Sequence, residues 1–273
     1  MATVTVCVTR SLVSHEGGTV SALVVRPATF RYESDLVDVV RDHLAPMVFN
    51  RAVRDEVETF VEVPAAFGIP DVSAVRYDWS IVQERVSSGI GPLTSEPAVR
   101  AAFALRRRAL SVTELAEAIG MSRDHVRRSV APALRNAGWL VDDPHRLRLK
   151  SSARPAAVRV VTVEAKLRDW HGALGQARRQ RYSADQAYIA LDVRAAERLR
   201  DDLPSMARQG VGVLAVDPVT STMKVLARPN DHLDRSRTAL GRTLIAERGL
   251  ELLSRGETAG AVYPVFGWTL PSR

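Results

Sequence analysis

The sequence predicts an α/β protein: a mixed central sheet flanked by helices, with a smaller domain set into the middle of the chain. Two observations carry the class. Between residues 157 and 227, short β-branched apolar runs alternate with segments of helical spacing, as strands joined by helical crossovers do. Strands and helices also mix before residue 80. A third observation gives the organisation: residues 96–150 change character to short helical patterns punctuated by single glycines. Residues 1–92 and 153–273 are therefore read as two parts of one α/β domain, the second closing on a C-terminal helix, and 93–152 as an insert.

The 273 residues are 46% hydrophobic, enough for a sizeable core without staples. A single cysteine, Cys7, rules out an intramolecular disulfide and fits a reducing cytoplasm; its place in an alternating strand suggests a buried thiol. No apolar run nears the roughly 20 residues that span a bilayer, and no basic-then-apolar leader opens the chain. A cytoplasmic protein without a membrane partner is expected. The net charge is +7, carried almost wholly by arginine, since lysine occurs only at 150, 166 and 224. Such a balance favours a polyanionic partner.

In order, residues 3–8 and 19–26 alternate as a hairpin turning at Glu16-Gly17-Gly18. Residues 33–44 space Leu36, Val37, Val40 and Leu44 helically, and Pro46 is expected to end that helix. A second helix is expected over 50–57, then strands over 59–63 and 71–77. Residues 87–97 have linker chemistry, and a helix follows over 96–108. Ser111-Val-Thr-Glu114 is a capping box opening a helix that turns Leu115, Ala116 and Ile119 to one side. Gly120 supplies a sharp turn, Ser122 caps a helix to about Ala137, and Gly138 ends it. Residues 139–141 and 146–149 flank Asp142-Asp-Pro-His145 as a two-stranded wing. Beyond a linker at 151–155 come strand 158–164, helix 168–182, strand 186–192, helix 194–208, strands 211–216 and 222–226, and a last helix over 231–254.

Residues 111–143 resemble a winged helix-turn-helix domain. The resemblance implies that Arg123, His125, Arg127 and Arg128, near the start of the second helix of the pair, contact DNA.

The chemistry is expected at two places. Asp71 opens one strand, and Glu164 and Lys166 end another that is otherwise apolar. Hydrolysing a phosphodiester calls for a hard divalent cation to offset developing charge and acidify water, and oxygen donors suit that ion. Asp71 and Glu164 are the candidate ligands for Mg²⁺ or Mn²⁺, with the Ala165 carbonyl a third. Strand alternation puts Glu164 and Lys166 on one side, where Lys166 can position or deprotonate the water or stabilise the phosphorane.

These residues resemble the PD-(D/E)xK superfamily, the restriction-endonuclease-like fold. The matching pieces are Gly68-Ile-Pro-Asp71, Val163-Glu-Ala-Lys166, the helix from Leu174 to Tyr182, and the strand after Asp185. The resemblance implies catalysis by Asp71, Glu164, Lys166 and Gln176, nucleic-acid contact by Arg179, an auxiliary role for Gln180, and a helical carboxylate at Glu56 or Glu58. It further implies a DNA endonuclease, with RNA as an alternative substrate. A double-strand cut needs two sites, which makes a homodimer the expected assembly, although no residue specifies one. The competing reading is a non-catalytic DNA-binding regulator or interaction protein on a degenerate nuclease scaffold. The six histidines are scattered without zinc-ligand spacing; His171 is a candidate phosphate contact.

Overall fold

The computed structural model describes residues 7–10, 23–26, 29–143, 145–230 and 233–259. Strands β1 (Cys7–Arg10) and β2 (Leu23–Arg26) pair antiparallel as a separate ribbon. The expected turn at 16–18 and the packing of the Cys7 side chain lie outside what is described, as do residues 260–273.

The main sheet has six strands in sequence order: β3 (Val57–Val61), β4 (Val72–Tyr77), β5 (Ala157–Lys166), β6 (Gln186–Asp192), β7 (Val211–Asp217) and β8 (Thr222–Ala227). Its centre, β5 to β7, is parallel, and the pairs at both flanks are antiparallel. Parallel neighbours need crossovers. Helix α7 (Trp170–Gln180) joins β5 to β6, while α8 (Val193–Glu197) and α9 (Leu203–Arg208) join β6 to β7. The three parallel strands are buried nearly throughout, whereas the edge strand β8 alternates between exposed and covered residues.

Helix α1 (Glu33–Val48) packs one face of the sheet, placing Leu36, Val40 and Leu44 on Val161, Val163 and Ala165. Each such leucine contributes about 1.5–3 kcal/mol by leaving water. The opposite face carries α7 over β5 and β6, and α10 (Arg235–Ser254) over β4 and β5. Helix α10 lies close to the sheet because it presents glycine there. A Cβ on Gly249 would meet the Tyr77 hydroxyl at 2.6 Å and the Phe60 ring at 2.7 Å. The Tyr77 hydroxyl donates to the Ala246 carbonyl at 2.9 Å.

The middle segment packs α3 (Glu96–Leu105), α4 (Val112–Ile119), α5 (Arg123–His125), a π-helical turn (Val126–Val130) and α6 (Ala131–Asn136) around Leu115, Val126, Leu134 and Trp139. The expected capping box is present: Ser111 Oγ accepts from the Glu114 amide, and the Glu114 carboxylate accepts from the Ser111 amide. Gly120 takes the left-handed conformation at the turn, with φ 67°. The proposed wing is reduced to isolated bridges, Leu140–Leu149 and Leu110–Leu147, the second tying it back to the start of α4.

This segment is fastened to the sheet domain. Arg85 on α2 (Trp79–Ser87) makes a two-pronged ion pair with Glu247 on α10, at 2.6 and 2.7 Å. Glu247 also accepts from the Leu93 amide at 2.9 Å. The Arg85 guanidinium lies 4.9 Å from the centre of the Trp139 ring, whose Nε1 donates to the Gly91 carbonyl. Leu244 of α10 completes the segment's core. The stretch after α2 is thus irregular but held in place.

Several expectations are corrected. Pro46 does not end α1. It falls in the last turn, where the missing amide costs one bond, and burial of Val48 and a Phe49 amide bond to Ala45 carry the helix past it. The 50–57 helix is a 3-10 turn, Arg51–Glu56. Helix 194–208 is broken into α8 and α9. Helix α2 had no counterpart in the sequence reading.

Candidate active site

Four segments converge at the end of β5: the loop before β4, β5 itself, the start of α1 and the end of α7. Asp71, just ahead of β4, is pulled onto β5 by the Ala165 amide, which donates to its Oδ2 at 2.7 Å. Glu164 is 1% exposed. The Gln180 side-chain amide donates to its Oε1, and its carboxyl is close enough to Asp71 to share a hydrogen bond. Lys166 Nζ lies 3.8 Å from Asp71 Oδ2 and 2.5 Å from Glu33 Oε1.

Electrostatics follow from this crowding. Burial, and then the Asp71 charge, push the Glu164 carboxyl up to about 8 against an ordinary 4.5. Burial also raises Asp71, against the opposing pull of the Ala165 amide and Lys166. For Lys166 burial works downward, but the Glu33 bond and the charges of Asp71 and Glu33 outweigh it and raise its pKa. The lysine is therefore held as an ammonium, which suits charge stabilisation and removes it as a general base at neutral pH.

A buried carboxyl beside a half-buried one resists double ionisation unless a cation or a proton offsets the second charge. All-oxygen donors with that demand fit a hard divalent ion, so Asp71 and Glu164 could hold Mg²⁺ or Mn²⁺. The Ala165 main chain is tied to the cluster by its amide.

Among the expected residues, Asp71, Glu164, Ala165 and Lys166 are brought together. Gln176 and Arg179 line a cleft of about 160 Å³ with Glu164, Phe67 and Gln180. Here Gln180, not Gln176, is the helix residue that bonds Glu164. Glu56 pairs with Arg76 at 2.6 Å, and Glu58 lies on β3, so neither is the auxiliary carboxylate at the cluster. Glu33 and Glu62 stand nearer: Glu33 bonds Lys166, and Glu62, at φ 54°, adds negative charge beside Asp71. The sequence reading missed both. His171 stacks on Trp170, ring centres 3.5 Å apart. Arg123, His125, Arg127 and Arg128 lie apart from the cluster, exposed on the middle segment, with Arg127 bonded to Asp124 at 3.0 Å.

The chain matches no family model, no curated protein and no solved structure.

Proposed function

We propose that the protein is a divalent-metal-dependent DNA endonuclease, with a restriction-endonuclease-like core and the middle segment serving as a winged helix that binds duplex DNA. The observation that carries this reading is the meeting of the Asp71 and Glu164 carboxyls beside a charged lysine at the end of a buried strand. A cation bound by these carboxylates would offset charge on the phosphodiester and acidify the attacking water. Asp71 is oriented by the Ala165 amide and Glu164 by Gln180, so both present fixed oxygens. Lys166 places its ammonium where charge develops on the phosphoryl oxygens. Arg123, Arg127 and Arg128 contribute salt-sensitive phosphate or base contacts.

The test is cleavage of supercoiled plasmid and of branched DNA with Mg²⁺ or Mn²⁺. The wild type should nick or linearise DNA, with loss of activity in Asp71→Asn and Lys166→Ala and retention in Glu56→Gln. If the Asp71 and Lys166 variants cut like the parent, the site assignment is wrong.

A further inference from the structure

Lys166 also borders a second cleft, of about 980 Å³, that neither Asp71 nor Glu164 lines. Its charged side chains fall into two groups. The acids are engaged: Glu33 bonds Lys166, Asp169 caps the Gly172 amide at 2.9 Å, and Asp192 accepts from the Arg194 amide at 2.9 Å and the Phe30 amide at 3.4 Å. Of the cations, Lys166 is bonded to Glu33 and Arg31 lies over the Tyr32 ring, whereas the arginines as a group pair with no carboxylate among the described residues. Arg31, Arg168, Arg194 and Arg198 are exposed, and none forms an ion pair with a described residue. The same cleft is also lined by apolar surface from Phe30, Leu167, Leu199 and the half-buried Trp170.

We propose that this cleft binds an unpaired nucleic-acid strand, with phosphates on Arg168, Arg194 and Arg198 and bases on the Phe30 and Trp170 surface. Cations along a groove with aromatic and apolar surface between them are what a single strand requires. A duplex presents phosphates outward and keeps its base faces stacked inside, so it leaves the apolar surface unused. The volume reaches the upper end of the roughly 300–1,000 Å³ of small-ligand sites, room for more than one nucleotide. Because Lys166 lines this cleft as well as belonging to the carboxylate cluster, the inference deepens the nuclease reading and rests on it: the preferred substrate is DNA whose duplex opens into a single-stranded tail.

The experiment is anisotropy titration of a labelled oligothymidylate of about 12 nucleotides, within the site sizes of single-strand binders, in metal-chelating buffer. The proteins compared are the wild type, R194E/R198E and R194K/R198K. Charge reversal should weaken binding at least ~10-fold and make the log–log salt slope shallower by about 1.4, roughly 0.7 for each phosphate no longer neutralised. The lysine variant should keep most of the affinity, and blunt duplex should bind all three alike. Equal oligonucleotide affinity in wild type and R194E/R198E overturns the proposal, as does duplex binding that falls as far as strand binding. Thymidine monophosphate competing as well per phosphate as the oligonucleotide overturns the strand as occupant. If the arginine variants lose strand binding but the wild type cuts no DNA with Mn²⁺, the cleft stands and the nuclease reading fails. If the wild type cuts while strand binding ignores the arginines, the cleft alone fails.

Discussion

At Glu164 the controlling quantity is a proton. A carboxyl whose pKa rises from 4.5 to about 8 on folding holds its proton more tightly in the folded state. That contribution to stability is complete below about pH 4.5 and is lost as pH climbs through 8. Metal-free protein should therefore show a melting temperature that declines over this window, and Glu164→Gln should flatten the decline; calorimetric melting at stepped pH checks it. A cation must displace the same proton, so apparent Mn²⁺ affinity should rise about tenfold per pH unit up to that pKa. Much of this cluster was legible in the sequence. Two charges closing an apolar strand are expensive unless they serve each other, and Asp71, Glu164 and Lys166 stood out for that reason. Gln180, to which the resemblance gave only an auxiliary role, carries a local signal as well: Ala173, Ala177 and Gln180 form the buried i, i+4, i+7 stripe of α7, and Gln176 lies off it. Glu33 was not legible, because its contact with Lys166 spans 133 positions and depends on how α1 crosses the sheet.

At the level of elements, α10 and α2 hold the molecule's two halves together. Removing one partner of a buried ion pair leaves the other charge unpaired, so Arg85→Ala should lower unfolding free energy by about 3–5 kcal/mol. Urea denaturation measures this, and Arg85→Met combined with Glu247→Leu should recover much of the loss. Gly249→Ala should cost about 1–3 kcal/mol through overpacking against Tyr77 and Phe60. Strands β5 and β6 and the capped start of α4 were readable because β-branched runs and a Ser-x-x-Glu box are local signals. Helix α2 was not, since its one buried residue is Arg85, which no apolar periodicity marks. Pro46 misled for a related reason: a breaker is tolerated where only the final turn must bear it.

For the whole molecule, the proposed function requires a basic middle segment and a carboxylate cluster to serve one substrate. The Arg85, Glu247 and Trp139 junction ties the middle segment to the sheet; in the proposed nuclease it is this junction that would couple duplex bound at Arg123, Arg127 and Arg128 to the carboxylate cluster. Replacing those three arginines with alanine should leave melting unchanged while weakening duplex binding. The salt slope should become shallower by up to about 0.9 for each phosphate those arginines neutralise. The α/β class was readable from the sequence because β-branched runs alternate with segments of helical spacing. The link between the middle segment and α10 was not, since it depends on an ion pair between residues 162 positions apart.

Mn²⁺ titration by isothermal calorimetry near pH 7, in two buffers of different ionisation enthalpy, tests the proposed metal site most directly. A metal site at Asp71 and Glu164 should bind one ion per chain with release of about one proton, and Glu164→Gln should lose both. No binding heat in the wild type, or an unchanged isotherm in Glu164→Gln, would contradict the claim that Asp71 and Glu164 form a metal site.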